Sequence, residues 1–213
     1  MIAELNKAYS TLNRKLFSGE LPKPKFQLDL SSKSVFRYRG EQGEEIIIGT
    51  GFVTIERDEI LDALLHVMVH VFNFQRGIED CTTNQYHKLE FTEVALKVGL
   101  TVVKSSSRGW GLTTSKKKHW EESEYVRHPS TVNLSCRHEA YQKIKFDPEK
   151  LTVYQESLQR QIDSTGKKHF LLKYICRCPP PHNSIRSGRR PTGPNRLNIK
   201  CVKCGSKFKV DHN

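Results

Sequence analysis

Leu61-Asp62-Ala63-Leu64-Leu65-His66-Val67-Met68-Val69-His70 sets two histidines four residues apart within an almost wholly apolar run. The pattern predicts a helix over roughly residues 55–75 whose apolar side chains surround it on most sides, and a helix of that kind is buried. Histidines four apart lie one turn above each other on one helix face, so both imidazoles can reach a single metal ion. His66 and His70 therefore point into an interior or a cleft rather than into open water. Thr54 is placed to cap this helix, with Glu56 and Asp58 in its first turn, where carboxylates oppose the positive end of the helix dipole.

The flanking sequence supplies the rest of a domain. Residues 2–17 form an amphipathic pattern through Ile2, Leu5, Tyr9, Leu12, Leu16 and Phe17, ended by Ser18-Gly19-Glu20 and Leu21-Pro22. Phe26-Gln27-Leu28-Asp29-Leu30 alternates as a half-buried strand, and Glu45-Ile46-Ile47-Ile48-Gly49 is a second, with a turn-like, charged stretch between them. After a loop from Gly77 to Asn84, Tyr86 opens another helix that runs to about Val98 and is closed by Gly99. Residues 104–120, rich in Ser, Gly, Lys and Trp, read as a surface connector. A helical pattern near 147–163 carries Leu151, Tyr154, Leu158 and Ile162, and residues 171–213 are a small β-rich module broken by Pro179-Pro180-Pro181, Gly188 and Pro191. The expected organisation is a domain over 1–103, a basic connector over 104–170 and a terminal module over 171–213. No apolar run approaches the roughly 18–20 residues that span a bilayer, and Met1-Ile2-Ala3-Glu4 lacks a signal pattern. The expectation is an intracellular, cytoplasmic protein.

Catalytic zinc sites commonly take three protein ligands, so His66 and His70 need a third. His87 is the best candidate: the 16 residues after His70 are enough to turn the chain back onto the helix. In the His-Glu-x-x-His motif of metal-dependent hydrolases, a glutamate follows the first histidine and acts as general base on the attacking water. Here that position is Val67, which has no proton chemistry. A positioned base contributes about 10²–10⁴-fold in rate, and Glu90, on the next helix, is not placed to replace it. A second zinc site is expected from Cys201-Val202-Lys203-Cys204-Gly205 with Cys176-Arg177-Cys178-Pro179, flanked by Tyr174 and Phe208. The first pair is one residue shorter than a usual knuckle, so His182 stands as a reserve ligand for Cys178. A four-thiolate site is closed and structural. Cys81 and Cys136 are isolated.

The net charge of +12 is uneven: residues 1–103 hold 12 Lys+Arg against 14 Asp+Glu, and residues 104–213 hold 23 against 9. A basic back half of this kind points to a polyanion, most plausibly nucleic acid. Lys116, Lys117 and Lys118, beside Trp110, His119 and Trp120, and the loop Arg186-Ser187-Gly188-Arg189-Arg190 are the candidate contacts, with arginines able to fork onto phosphates. The tryptophans suit stacking on unpaired bases or, equally, covering a core. No base-reading helix is evident, so backbone contact without sequence specificity is expected.

From roughly Ala8 to Val103 the chain resembles the SprT-like family of zinc metallopeptidases, which includes the Spartan type of DNA–protein crosslink protease. The resemblance rests on Tyr9…Leu16-Phe17-Ser18-Gly19-Glu20-Leu21-Pro22, on Leu64-Leu65-His66-Val67-Met68-Val69-His70 where the family has LLHEMxH, and on His87-Lys88-Leu89-Glu90-Phe91, similar to the HGPEF-like segment that supplies the third ligand. Gly77-Ile78-Glu79-Asp80-Cys81 also looks like bacterial and mobile-element members. The family often adds a C-terminal zinc ribbon. The resemblance implies an α+β fold: a zincin-like domain, a basic helical connector and a small zinc ribbon. It implies Zn²⁺ at His66, His70 and His87 and at Cys176, Cys178, Cys201 and Cys204. It also implies action on DNA-bound proteins, with peptidase activity impaired or lost because Val67 replaces the base. A non-catalytic, zinc-stabilised DNA-binding scaffold is the alternative.

Overall fold

In the computed structural model, which describes residues 1–39, 44–113, 125–165, 172–179, 184–187 and 199–210, the N-terminal pattern becomes helix α1 (Ile2–Leu16). It buries Leu5, Ala8, Tyr9 and Leu12, the i, i+3, i+4, i+7 stripe of an amphipathic helix. Three short strands follow: β1 (Lys25–Leu28), β2 (Phe36–Arg39) and β3 (Glu45–Ile48). Their order is β1-β3-β2, with β3 parallel to β1 and antiparallel to β2. The central position explains why Ile46, Ile47 and Ile48 are consecutive yet all buried. Strand β2 falls in the stretch expected to be turn-like, because its arginines alternate with aromatics; Phe36 enters the core and Arg37 does not.

Helix α2 (Arg57–Gln75) is buried on most sides, as its composition requires. Its cap is Glu56, not Thr54, which instead ends a preceding 3-10 turn (Thr50–Thr54). The Glu59 carboxylate accepts from the Glu56 N–H at 3.1 Å, satisfying one of the donors that a helix start leaves open. Helix α3 (Leu89–Lys97) starts three residues later than expected, and a second sheet forms from β4 (Val102–Ser105), β5 (Gly109–Thr113) and β6 (Val126–Arg127), in the order β5-β4-β6. Two further helices complete this part, α4 (Thr131–Gln142), capped by the Ser130 hydroxyl, and α5 (Pro148–Thr165).

The chain divides into two compact units, Met1–Ile162 and Asp163–Asn213. Ala140, Tyr141, Ile144, Phe146 and Leu158 belong to the same core as Leu64 and Leu65. Polar ties reinforce this. Buried Asp62 accepts from the Tyr141 hydroxyl at 2.8 Å and from Arg137 at 3.3 Å, while Arg57 donates to the carbonyls of Tyr141 and Ile144 at 2.6 and 2.5 Å. A carboxylate this buried is tolerable only with such partners. Residues 104–113 are paired strands, not a connector. The second unit carries β7 (Leu172–Ile175), β8 (Ser184–Ser187) and β9 (Lys209–Val210), with β8 and β9 antiparallel to β7 on either side. The fold class is thus α+β, with five helices and three small sheets among the described residues. Among those residues no helix is long and apolar enough to cross a membrane.

Candidate metal centres

Helix α2 carries His66 and His70 one turn apart, and an extended segment before α3 brings in His87. Their three Nε2 atoms converge, with His66–His70 at 3.2 Å, His70–His87 at 3.0 Å and His66–His87 at 3.2 Å. An ion bound tetrahedrally at about 2.0–2.1 Å from each nitrogen sets neighbouring ligand atoms about 3.3 Å apart, close to these separations. Phe91 of α3, fully buried, packs against all three rings at 4.7 Å between centroids, and Tyr38 of β2 stacks on His70 at 5.5 Å.

The opposite nitrogen of each ring has a partner of its own. His70 Nδ1 donates to the Asp80 carboxylate at 2.9 and 3.0 Å, and Asn73 donates to that carboxylate at 2.8 Å. His87 Nδ1 donates to the Gln85 carbonyl at 3.0 Å, with the Arg108 carbonyl at 3.3 Å, and His66 Nδ1 meets the Thr113 hydroxyl at 3.0 Å. Carbonyls and carboxylates only accept, so the proton of His70 and of His87 lies on Nδ1 and the Nε2 lone pairs face one another. Lone pairs brought this close repel, and a cation among them removes that cost. Burial, then the neighbouring imidazoles, holds His66 well below the usual histidine range and His87 at about 4, so both rings are neutral at neutral pH, as ligands must be. Asp80→Asn is expected to weaken metal binding at this centre by about 10–100-fold, the usual cost of losing an orienting carboxylate. Titration against a chelating dye measures this, and an unchanged affinity would show that the Asp80 contact is incidental.

Strand β5 is shaped to admit His87. The His87 N–H donates to the Arg108 carbonyl at 3.0 Å and the Trp110 N–H to the His87 carbonyl at 3.2 Å, so His87 lies along the strand edge. A Cβ on Gly111 would fall 2.4 Å from His87 Nδ1, and one on Gly109, which has φ +58°, 2.3 Å from the His87 carbonyl oxygen. Both positions need glycine for the ring to reach the centre. Val67 is 3% exposed and belongs to the core. Among the described residues no carboxylate joins the three-histidine group; Asp80 is engaged at the far nitrogen of His70, and Glu90 is on the exposed side of α3.

In the second unit, Cys176, Cys178, Cys201 and Cys204 bring their sulfurs within 4.8 Å of one another. Cys178 and Cys201 are 3.9 Å apart, matching the roughly 3.8 Å between thiolates that each lie about 2.3 Å from one tetrahedral ion. The Cys178 N–H points at the Cys176 sulfur at 3.4 Å. The second knuckle closes through Gly205, at φ +65°, whose N–H donates to the Cys201 carbonyl at 2.8 Å. The hydroxyl of Ser206 lowers the Cys204 thiol to about 6, and the Cys176 sulfur beside it pushes Cys178 up to about 12. The Cys204 thiol is therefore ready to ionise, while Cys178 resists ionisation without a cation beside it. Cys81 and Cys136 stand outside both groups, and all six cysteines are free thiols.

All seven residues expected to ligate metal are thus gathered into two groups. The sequence alone does not mark Asp80, Thr113, the Arg108 carbonyl or Gly111 as part of the centre, although Gly109-Trp110-Gly111 is the pattern of a strand approached closely by another backbone. Lys116, Lys117, Lys118, Arg189, Arg190 and His182 lie outside the described residues; Arg186 is within β8. In comparisons with family models, with curated proteins and with solved structures, the chain has no match.

Proposed function

We propose that the chain binds Zn²⁺ at both centres and is a SprT-like, metallopeptidase-family protein acting on DNA-associated proteins, with its peptidase chemistry impaired or lost at Val67. The convergence of three imidazole Nε2 atoms, each ring held from behind by its own partner, carries this reading. The ion would be held by His66, His70 and His87, and when bound it would polarise a carbonyl and acidify water. The protein's own contribution is orientation. Asp80 fixes the His70 ring, Gly111 leaves room for His87, and Phe91 supports all three rings. No described carboxylate joins the three-histidine group, and Val67, in the position after the first histidine, cannot take the attacking water's proton.

The buried, apolar Val67 favours the second reading, a non-catalytic, zinc-stabilised DNA-binding scaffold. Both readings share the basic half of the chain as the means of holding DNA through backbone contacts, in a reducing intracellular setting that suits thiolate ligands. Purified protein is expected to contain close to two equivalents of zinc by elemental analysis. His87→Ala should bring this toward one. A value near one that ignores the histidine substitution would remove the first centre from the proposal.

A further inference from the structure

The four-cysteine group is unevenly covered. Cys176, Cys178 and Cys201 are buried, at 3%, 4% and 4% exposed, whereas Cys204 lies at the surface. The tip of the second knuckle accounts for the difference. Val202, Lys203, Cys204 and Gly205 are all exposed, and a Cβ built on Gly205 would meet nothing within 4 Å. The described residues therefore leave the outer side of this knuckle uncovered. Ser206 holds the exposed sulfur in place. Its hydroxyl accepts from the Arg177 N–H at 3.2 Å and donates to the Cys204 sulfur at 3.0 Å, while its carbonyl accepts from the Cys201 N–H at 2.8 Å. One serine thus ties both cysteine pairs to the one sulfur that solvent can touch.

A peroxide reacts with a sulfur only where it can reach it, and the thiolate is the reactive form. A thiol that ligates metal is kept deprotonated, so Cys204 meets both conditions and the three buried cysteines meet only one. We infer that Cys204 is an oxidation site through which hydrogen peroxide opens the four-cysteine centre. This rests on the zinc reading of that centre given above. In the first step the Cys204 thiolate attacks one peroxide oxygen, the O–O bond breaks and hydroxide leaves with the bonding pair. Sulfur is oxidised by two electrons to a sulfenic acid, and the peroxide is reduced by the same two. In the second step a thiolate of Cys176, Cys178 or Cys201, all within 4.8 Å, attacks the Cys204 sulfur; the S–O bond breaks and a second hydroxide leaves. Both hydroxides take protons from solvent. The disulfide removes two of four ligands, and with them the bonds that hold so small a module folded. Thiol reductants reverse the disulfide, so the centre reopens and recloses. Cys136 is exposed as well but belongs to neither group, so its oxidation leaves both centres intact.

The test uses the full, zinc-loaded chain and hydrogen peroxide, with released zinc followed by a chromogenic chelator and each cysteine followed by peptide mass mapping after dimedone trapping. One of the two zinc equivalents should be released. The first sulfenic adduct within the module should be on Cys204, followed by a disulfide joining Cys204 to another of the four cysteines. A thiol reductant with added zinc should restore the second equivalent. Cys204→His keeps a metal ligand that peroxide does not oxidise in this way, and it should slow zinc release by about tenfold or more, since only buried sulfurs remain. Where that variant fails to load zinc, the order of adducts on the unchanged chain decides the matter. Adducts appearing first on Cys176, Cys178 or Cys201 overturn the inference. So does retention of both equivalents at a peroxide concentration that already modifies Cys136. In either case the zinc reading stands. A chain that lacks the second equivalent before any peroxide is added defeats the four-cysteine reading itself, and the inference with it.

Discussion

Val67→Glu is expected to raise chelator-sensitive hydrolysis of a protein substrate, assayed with single-stranded DNA present, by about 10²-fold or more, the contribution of a positioned general base. The unchanged chain should show very low or undetectable turnover under the same conditions. Position 67 lies about 80° round α2 from the line midway between His66 and His70, so a longer acidic side chain there reaches the flank of the centre. Val67 is only 3% exposed, which matters in two ways. Burial raises a carboxyl's pKa toward neutrality, as a base working at pH 7 requires. It also makes the new charge costly without a cation beside it, so the metal-free variant should melt below the unchanged protein and regain more than the unchanged protein does when zinc is added. Full metal loading with no gain in hydrolysis would support the scaffold reading. Brisk, chelator-sensitive proteolysis by the unchanged chain would mean a base comes from elsewhere, and the impaired-enzyme reading would fall.

Cys201→Ser should remove one metal equivalent and unfold the second unit, while the three-histidine centre keeps its ion. The described core of that unit consists of Cys176, Cys178 and Cys201 with Phe208 packed against them, and Tyr174 is the one large side chain fully buried there. So little apolar surface cannot offset the entropy of ordering the chain, and metal–thiolate bonds must supply the difference. In small zinc modules that binding is worth about 10–16 kcal/mol, more than the whole stability of many domains. A serine hydroxyl is a far poorer ligand than a thiolate. Metal analysis and the loss of dispersed amide signals from residues 172–179, 184–187 and 199–210 measure the effect. Cys178→Ser should behave alike, because the Cys178 and Cys201 sulfurs are 3.9 Å apart. If Cys178→Ser keeps two equivalents, another ligand such as His182 completes the site. If Cys201→Ser keeps both ions and its protease resistance, the module is held by something other than metal.

Helices α1 and α2 were legible because their signal is local. Leu5, Ala8, Tyr9 and Leu12 repeat at helical spacing, and His66 and His70 share a face whatever the rest of the chain does. The cysteine pairs were legible for the same reason. Helix α4 was not, since Val132 and Leu134 are exposed and only Ala140 and Tyr141 near its end are buried. Strand β2 was obscured by its arginines, and β4 and β5 by glycines and serines that resemble a linker until they are paired.

The sequence by itself determined the ligand types, the four-residue step that aligns His66 with His70, the thiol pairs and the absence of a carboxylate at position 67, because each depends on residue identity or on spacing within one turn. Only the tertiary structure decided what stands behind each ligand. Thr113 reaches His66 across 47 positions and Arg108 reaches His87 across 21, and the Asp80 carboxylate meets both His70 and the buried Asn73. Packing creates such pairings, because an unpaired buried polar group is costly and the folded chain brings distant partners within reach.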